Sequence, residues 1–286
     1  MAGLSSDLAI PKTIKLFIGG EFPRTESGRS FPCYYAGTKK VYANLCLASR
    51  KDIRTAVTAA RDAQKSWAER SAYNRGQILY RMAEMAEGKR LEFAEILEKV
   101  IGISSTDVKG EIDGAIDSFV YYAGWCDKYQ QVIGAVNPVN GPHHNFTIPE
   151  ATGVIALICD DKFDFAKIVS DIAAIVAGGN SAVVLLPEGS SPILAALSEV
   201  LATSDLPKGV INLLSGNIEE LANPFGSHME IQSLCYRGTD QKRISEFKTL
   251  AVENMKRFVG PTKKIMTLEN LLDFVEYKTV WHPIGN

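Results

Sequence analysis

The 286-residue chain is poor in the features that would name a chemistry outright. It has four histidines. His143 and His144 are adjacent, so they do not face one ligand position, and His228 and His282 lie far off in sequence, which leaves no metal-ligand spacing. The five cysteines are odd in number and show no C-x-x-C spacing, which points to reduced thiols rather than a disulfide framework. No apolar run approaches the roughly 20 residues needed to span a bilayer; Gly153–Cys159, "GVIALIC", is among the longest. The opening "MAGLSSDLAIPK" lacks the charged and continuously apolar regions of a signal peptide. A net charge of −2 with a pI near 6.1 leaves no basic footprint for nucleic acid. There is no G-x-S-x-G elbow and no G-x-x-x-x-G-K-[ST], and no G-x-G-x-x-G follows the first strand of the βα region. These absences exclude most one-motif explanations and predict a cytoplasmic protein.

What is present is a change of rhythm along the chain. Thr13–Phe22, "TIKLFIGGEF", alternates around Gly19-Gly20 and predicts a short hairpin. From Ser49 the pattern is helical. Ser49–Asp52 is a capping-box-like start before Ile53, Val57 and Ala60 at helical spacing. A second helix is expected over about Tyr73–Ile101 and a third from about Thr106, carrying "FVYYAGWCDKY". Between Gln131 and Thr152, two β-prone runs flank Asn140-Gly141-Pro142, predicting a protruding hairpin. Its prolines suit an edge or an arm.

After Gly153 the rhythm is βαβα. Continuous apolar runs begin at Gly153, Ser181, Gly209 and Ile231, as expected of parallel strands buried on both faces. Ser191 before Pro192, and Asn217 with Glu220, read as helix starts. Phe165, Ile168, Val169, Ile172 and Val176 make one core stripe on the first crossover helix. Right-handed crossovers then give a doubly wound, mainly parallel α/β sheet.

Ligands of such a sheet bind at the carboxyl ends of its strands. Those ends are Cys159-Asp160-Asp161-Lys162, Leu186-Pro187-Glu188-Gly189, Leu214-Ser215-Gly216-Asn217 and Tyr236-Arg237-Gly238-Thr239. A phosphate could meet the helix N-terminus after Gly216 or at Gly238-Thr239, although glycine there is also ordinary turn chemistry. In "DDKFD", Lys162 is either an anion-binding or activated amine, or a solvated neighbour of an Asp164 helix cap. Cys46, Cys126, Cys159 and Cys235 lie in apolar segments and read as buried, inert thiols.

Taken together, "KLFIGGEF", "AARDAQKSWAERSAYNRGQILYRMAE", "YYAGWCDK", "IPEATGVIALI", "AGGNSAVVLLPE", "LPKGVINLLSG" and "FVEYKTVWHP" resemble the aldehyde dehydrogenase superfamily in order and spacing. The resemblance implies a Rossmann-like NAD(P)-binding-type domain over 1–132 and 150–260, with an N-terminal helical layer. It implies an oligomerisation arm and tail strand over 133–149 and 261–286. It also implies an internal loss. In the family, the helix matching Thr239–Phe258 leads into a Glu-Leu-Gly-Gly segment and a catalytic domain. Here Val259-Gly260-Pro261 passes directly to a closing segment.

The family's nucleophilic Cys and general-base Glu therefore have no counterpart, and Lys162 stands where the oxyanion-hole Asn would be. Without a thiolate the family's covalent intermediate cannot form. Carried over residue by residue, cofactor contacts fall on Ile158 and Cys159 at the first strand end, Glu188 at the ribose, Gly216, and Tyr236, Gly238 and Thr239 near the pyrophosphate. The ribose-binding Lys is replaced by Leu185 or Leu186. Its loss costs roughly 1.5–3 kcal/mol, so weak NAD(P) binding or none is expected. No metal is implied. The resemblance leads to a non-catalytic structural or regulatory subunit, forming a homo-oligomer or a hetero-oligomer with a full-length aldehyde dehydrogenase. The alternative is an NAD(P)-dependent oxidoreductase acting on an aldehyde or oxo group, alone or completed by a partner chain. Neither involves nucleic acid or membrane.

Overall fold

The structure, a computed structural model, describes residues 11–160 and 162–285. Strands β1 (Lys12–Ile14), β2 (Ser30–Tyr34) and β3 (Val41–Cys46) form a small sheet in the order β1-β3-β2. The hairpin expected around Gly19-Gly20 is present. Ile18 and Glu21 exchange both backbone bonds at 3.0 Å. Positive φ angles of 61° and 76° at the two glycines allow the two-residue turn.

Helix α1 (Arg50–Ala68) starts where Asp52 accepts from the Ser49 backbone N–H at 2.7 Å and from its hydroxyl at 2.9 Å. The helix expected over Tyr73–Ile101 is broken. It runs as α2 (Ala72–Gly88) and α3 (Arg90–Glu95), and then as a π-helical turn over Ile96–Ile101. Gly88 is a weak helix residue, and Lys89 leaves helical geometry at ψ 4°. Helices α4 (Ser105–Trp125) and α5 (Tyr129–Ile133) follow.

The arm is the predicted hairpin, with β4 (Ala135–Asn137) antiparallel to β5 (His143–Ala151). The central unit then runs β6 (Val154–Ile158), α6 (Phe165–Ala177), β7 (Ser181–Leu186), α7 (Leu194–Ala202), β8 (Ile211–Ser215), α8 (Ile218–Ser227), β9 (Ser233–Tyr236), α9 (Gln241–Val252) and β10 (Arg257–Val259). The chain closes through α10 (Leu268–Leu272) and β11 (Val275–Pro283).

The central sheet is parallel throughout, in the order β10-β9-β6-β7-β8. Every residue of β6, β7, β8 and β9 is buried. The two sheet faces feed two cores. Ile155 and Leu157 point to the core under α2, α4, α6 and α7, whereas Val154, Ala156 and Ile158 point to the one under α1, α8 and α9. That two-sided burial is why the runs are continuously apolar rather than alternating. The expected helix Thr239–Phe258 is shorter: α9 ends at Val252, and Arg257–Val259 become a fifth strand beside β9.

The arm departs from its reading in one respect. Strand β5 is central, between β4 and β11, not an edge. Its Pro149 is tolerated because β4 pairs only over Asn145–Thr147 and ends before it. The tail strand β11 pairs with β5 over its whole length, from Val275–Ala151 to Pro283–His143.

Candidate functional site

At the carboxyl ends of β7 and β8 a cavity of about 390 Å³ opens against the first turn of α8. Phe31 and Leu47 supply its apolar wall, and Glu188, Gly216, Asn217 and Glu219 are among its polar lining. Gly216 is required there by packing, since a Cβ would approach Leu221 Cδ1 to 2.7 Å. Asn217 caps α8 through the Glu219 N–H at 2.7 Å. The expected box partner Glu220 instead pairs with Arg29 (Nη1–Oε2 3.2 Å), because that guanidinium reaches it from the β2 side. Arg243 of α9 pairs with Glu219, bridging the first turns of α8 and α9.

Of the seven residues assigned to cofactor contact, only Glu188 and Gly216 share this cavity. Ile158 closes β6 and is fully buried. The Cys159 N–H donates to the Leu185 carbonyl at 3.1 Å, and burial pushes its thiol far up. Tyr236 closes β9, its ring edge-on to Phe247 at 5.2 Å. It also lies over Gly238, where a Cβ would fall 2.2 Å from the phenol oxygen, so glycine is what lets the ring lie there. Thr239 is exposed just before α9.

Two of the helix N-termini that face the strand ends already have carboxylates on their first-turn N–H groups. In α6 the Phe165 and Ala166 N–H groups donate to Glu111 at 2.8 and 3.1 Å, and the Lys167 N–H donates to Asp164 at 2.8 Å. In α9 the Lys242 N–H donates to Asp240 at 3.0 Å. Free N–H groups and the positive end of the helix dipole are what hold a phosphate at such a position. Here carboxylates take that place. Burial raises the Glu111 pKa, and its two backbone bonds oppose the rise. Asp164 is thus the cap it was read as, and Lys162 is exposed. Asp161 lies outside the described residues.

The sequence reading missed a buried ion cluster at the same end of the sheet. Asp171 of α6 accepts both Nε and Nη2 of Arg237 at 2.8 Å and pairs with Lys167. Arg237 Nη1 donates to the Gly260 carbonyl at 2.6 Å and Nη2 to Asn270 at 3.0 Å. Asn270 in turn donates to the Tyr122 hydroxyl at 3.2 Å. One guanidinium therefore holds β9, α6, the Gly260-Pro261 junction and α10 together. The signal was legible as two charges in otherwise apolar surroundings, Asp171 inside a core helix and Arg237 after a buried strand.

No thiol near this end is poised for attack. Burial pushes Cys235 up to about 12 and Cys126 up to about 12, and Cys33, half-buried on β2, up to about 11. Among the described residues no group of three or more His, Cys, Asp or Glu side chains is placed to hold a metal. None of their helices is long and apolar enough to cross a membrane.

Comparison with known proteins agrees with this geometry. Residues 22–259 match the aldehyde dehydrogenase family. The cytosolic 10-formyltetrahydrofolate dehydrogenase of Pongo abelii is 31% identical over 251 residues, covering 85% of this chain and 27% of that protein. The human mitochondrial 10-formyltetrahydrofolate dehydrogenase is 29% identical over 260 residues, covering 88% and 28%. Among solved structures, the NAD⁺ complex of Bacillus cereus aldehyde dehydrogenase superposes with a TM-score of 0.80 at 26% identity, covering 87% of this chain and 50% of that one. A variant of the same enzyme superposes at 0.82 with 27% identity, with the same coverage. The chain thus spans about a quarter of the length of the curated relatives named and half that of the solved structures. With a parallel sheet, a three-stranded arm and a family match over most of its length, this chain belongs to the aldehyde dehydrogenase family.

Proposed function

We propose that this chain is a non-catalytic member of its family, a structural or regulatory oligomer subunit whose nucleotide site is weak or closed. The observation that carries the reading is that carboxylates cap the helix starts at these strand ends, Asp240 at α9, where the resemblance puts the pyrophosphate, and Glu111 with Asp164 at α6. A pyrophosphate arriving at α9 would have to displace the Asp240 carboxylate, and one shifted towards α6 would meet Glu111 and Asp164, rather than free N–H groups. The residues fit the adenosine half of a dinucleotide better than its phosphates. Glu188 is an exposed acceptor for ribose hydroxyls beside an apolar wall. Leu185 and Leu186, at the position of the family's lysine, are fully buried. A 2′-phosphate would sit against the carboxylates of Glu188, Glu219 and Glu220, so NADP is the poorer ligand of the two.

The reading also rests on the junction. Gly260-Pro261 carries the chain from β10 straight to α10 and β11, and the Arg237–Asp171–Lys167 cluster fills the space beside it. A reaction of the family's type needs a thiolate, and the buried thiols of Cys159 and Cys235 are held protonated.

The arm remains as the part able to recruit a partner. Tyr277 and Trp281 lie on one face of β11 and are exposed, an apolar pair on an open strand of the sheet. Association with a second copy or with a full-length family member follows from that surface. Calorimetric titration with NAD⁺ and light scattering test the two halves of the reading. Dissociation constants no tighter than millimolar, together with a mass above the monomer or capture of a full-length relative, are expected. Micromolar NAD⁺ binding by a clean monomer would overturn it.

A further inference from the structure

At the tip of the arm, an amide side chain and a main-chain N–H stand next to each other with nothing to hold either. The connection between β4 and β5, residues 138–142, contains Asn140-Gly141, the only Asn-Gly pair in the sequence. Both residues are exposed. Gly141 has a φ of 136°, a backbone conformation that favours glycine. Chain neighbours aside, the one atom within 4 Å of a Cβ built there is His143 Nδ1, at 3.7 Å. The connection is fixed only on its far side. The His143 N–H donates to the Gly141 carbonyl at 2.8 Å, and the Ile284 N–H to the Pro142 carbonyl at 3.0 Å. Among the described residues, neither the Asn140 side chain nor the Gly141 N–H has a hydrogen-bond partner.

Other asparagines are placed differently. Asn137 donates to Asn145 and Thr147, and Asn180 donates to the Ile175 and Phe274 carbonyls. Asn217 accepts from the Glu219 N–H. Asn217 and Asn223 are exposed, but they precede Ile218, whose branched Cβ crowds its N–H, and Pro224, which has no N–H.

We propose that Asn140-Gly141 is a self-modifying site, at which the folded chain converts Asn140 to aspartate and isoaspartate through a cyclic imide. Nucleophile and carbonyl belong to adjacent residues, so the attack is intramolecular. The Gly141 nitrogen forms a bond to Asn140 Cγ, and the side-chain nitrogen leaves as ammonia, taking up the proton that the Gly141 N–H gives up. Water then opens the ring. Addition at Cγ breaks the new bond and leaves aspartate. Addition at the main-chain carbonyl carbon breaks the original peptide bond and leaves isoaspartate. Water is the co-reactant, and nothing is oxidised or reduced.

Either product puts a new negative charge two residues before His143. Isoaspartate also adds a methylene to the main chain inside the turn that sets the β4–β5 register. The effect on assembly rests on the reading of the arm as the association surface; the chemistry does not.

The test incubates the full chain for days at mildly alkaline pH, folded and in urea, with peptide mapping by mass and chromatographic separation of aspartate from isoaspartate. In the folded chain Asn140 is expected to convert at least roughly tenfold faster than Asn217, at a rate comparable to that in urea, with both products appearing. Gly141→Ala should slow the conversion roughly tenfold, because a Cβ crowds the attacking nitrogen. Conversion of Asn140 only in urea would show that the turn protects it and would overturn the proposal. Aspartate without isoaspartate would overturn it too, since direct hydrolysis needs no ring. Mapping on the unmodified chain reads the site whether or not the chain associates.

Discussion

The two ends of this molecule treat polar groups in opposite ways. At the carboxyl end of the central sheet, the α6 N-terminus is taken by Glu111 and Asp164, and the Arg237 guanidinium is taken by Asp171, Asn270 and the Gly260 carbonyl. In the arm, the β11-β5-β4 sheet leaves β11 and β4 as open edges and exposes Val136, Tyr277 and Trp281. A site that has satisfied its own donors gains little from a ligand. An unpaired edge with exposed aromatics gains a great deal from a partner. On the proposed reading, that difference puts recognition in the arm rather than at the strand ends.

The largest effect that would break this comparison is removal of Arg237. Arg237→Ala leaves Asp171 buried with only Lys167 as partner, and should cost about 3–5 kcal/mol in urea unfolding. The combined replacement Lys167→Met, Asp171→Leu and Arg237→Met should recover most of that loss, because it leaves no charge buried. If the single variant is as stable as the parent, the cluster does not hold the junction.

In the arm, Tyr277→Glu with Trp281→Glu should convert an oligomer to monomer by light scattering while leaving the unfolding midpoint nearly unchanged. Both side chains are exposed within one chain, so a large loss of stability would show them to be packed instead.

A smaller change probes the closed helix end. Asp164→Ala should cost about 1 kcal/mol as a lost N-cap. It should also raise phosphate affinity by removing one of the two carboxylates; unchanged phosphate binding would separate the cap from the closure of the site. The smallest effect is a pH dependence. Burial raises the Glu111 pKa, so the folded chain holds that proton more tightly than the unfolded chain. Its contribution to stability therefore falls as pH rises from the ordinary carboxylate value through the raised one, and is flat above it. Glu111→Gln should remove that slope, seen as a stability difference from the parent that shrinks with rising pH across the window.

Much of the fold could be read directly. The β6, β7, β8 and β9 runs are apolar at every position because both faces are covered, and Ser49, Asp164 and Asn217 mark helix starts by local hydrogen bonds. Strand β10 was missed. Three residues, Arg257–Val259, carry no periodicity, and only the backbone of β9 makes them a strand. The break at Lys89 was missed for a similar reason, since one glycine in an Ala- and Glu-rich segment is a weak local signal.

The candidate site was legible by position and not by state. Glu188 and Gly216 could be placed at neighbouring strand ends from spacing alone. What closes α6 is Glu111, which is 54 residues from Phe165 in sequence, and what fixes the junction is Arg237 reaching 66 residues back to Asp171. The sequence by itself determined the parallel sheet, its helix caps and the arm hairpin, since periodicity, caps and turns are short-range physics. Only the tertiary structure decided which charges meet and whether a helix N-terminus stays open, because those depend on groups brought together by the fold from distant parts of the chain.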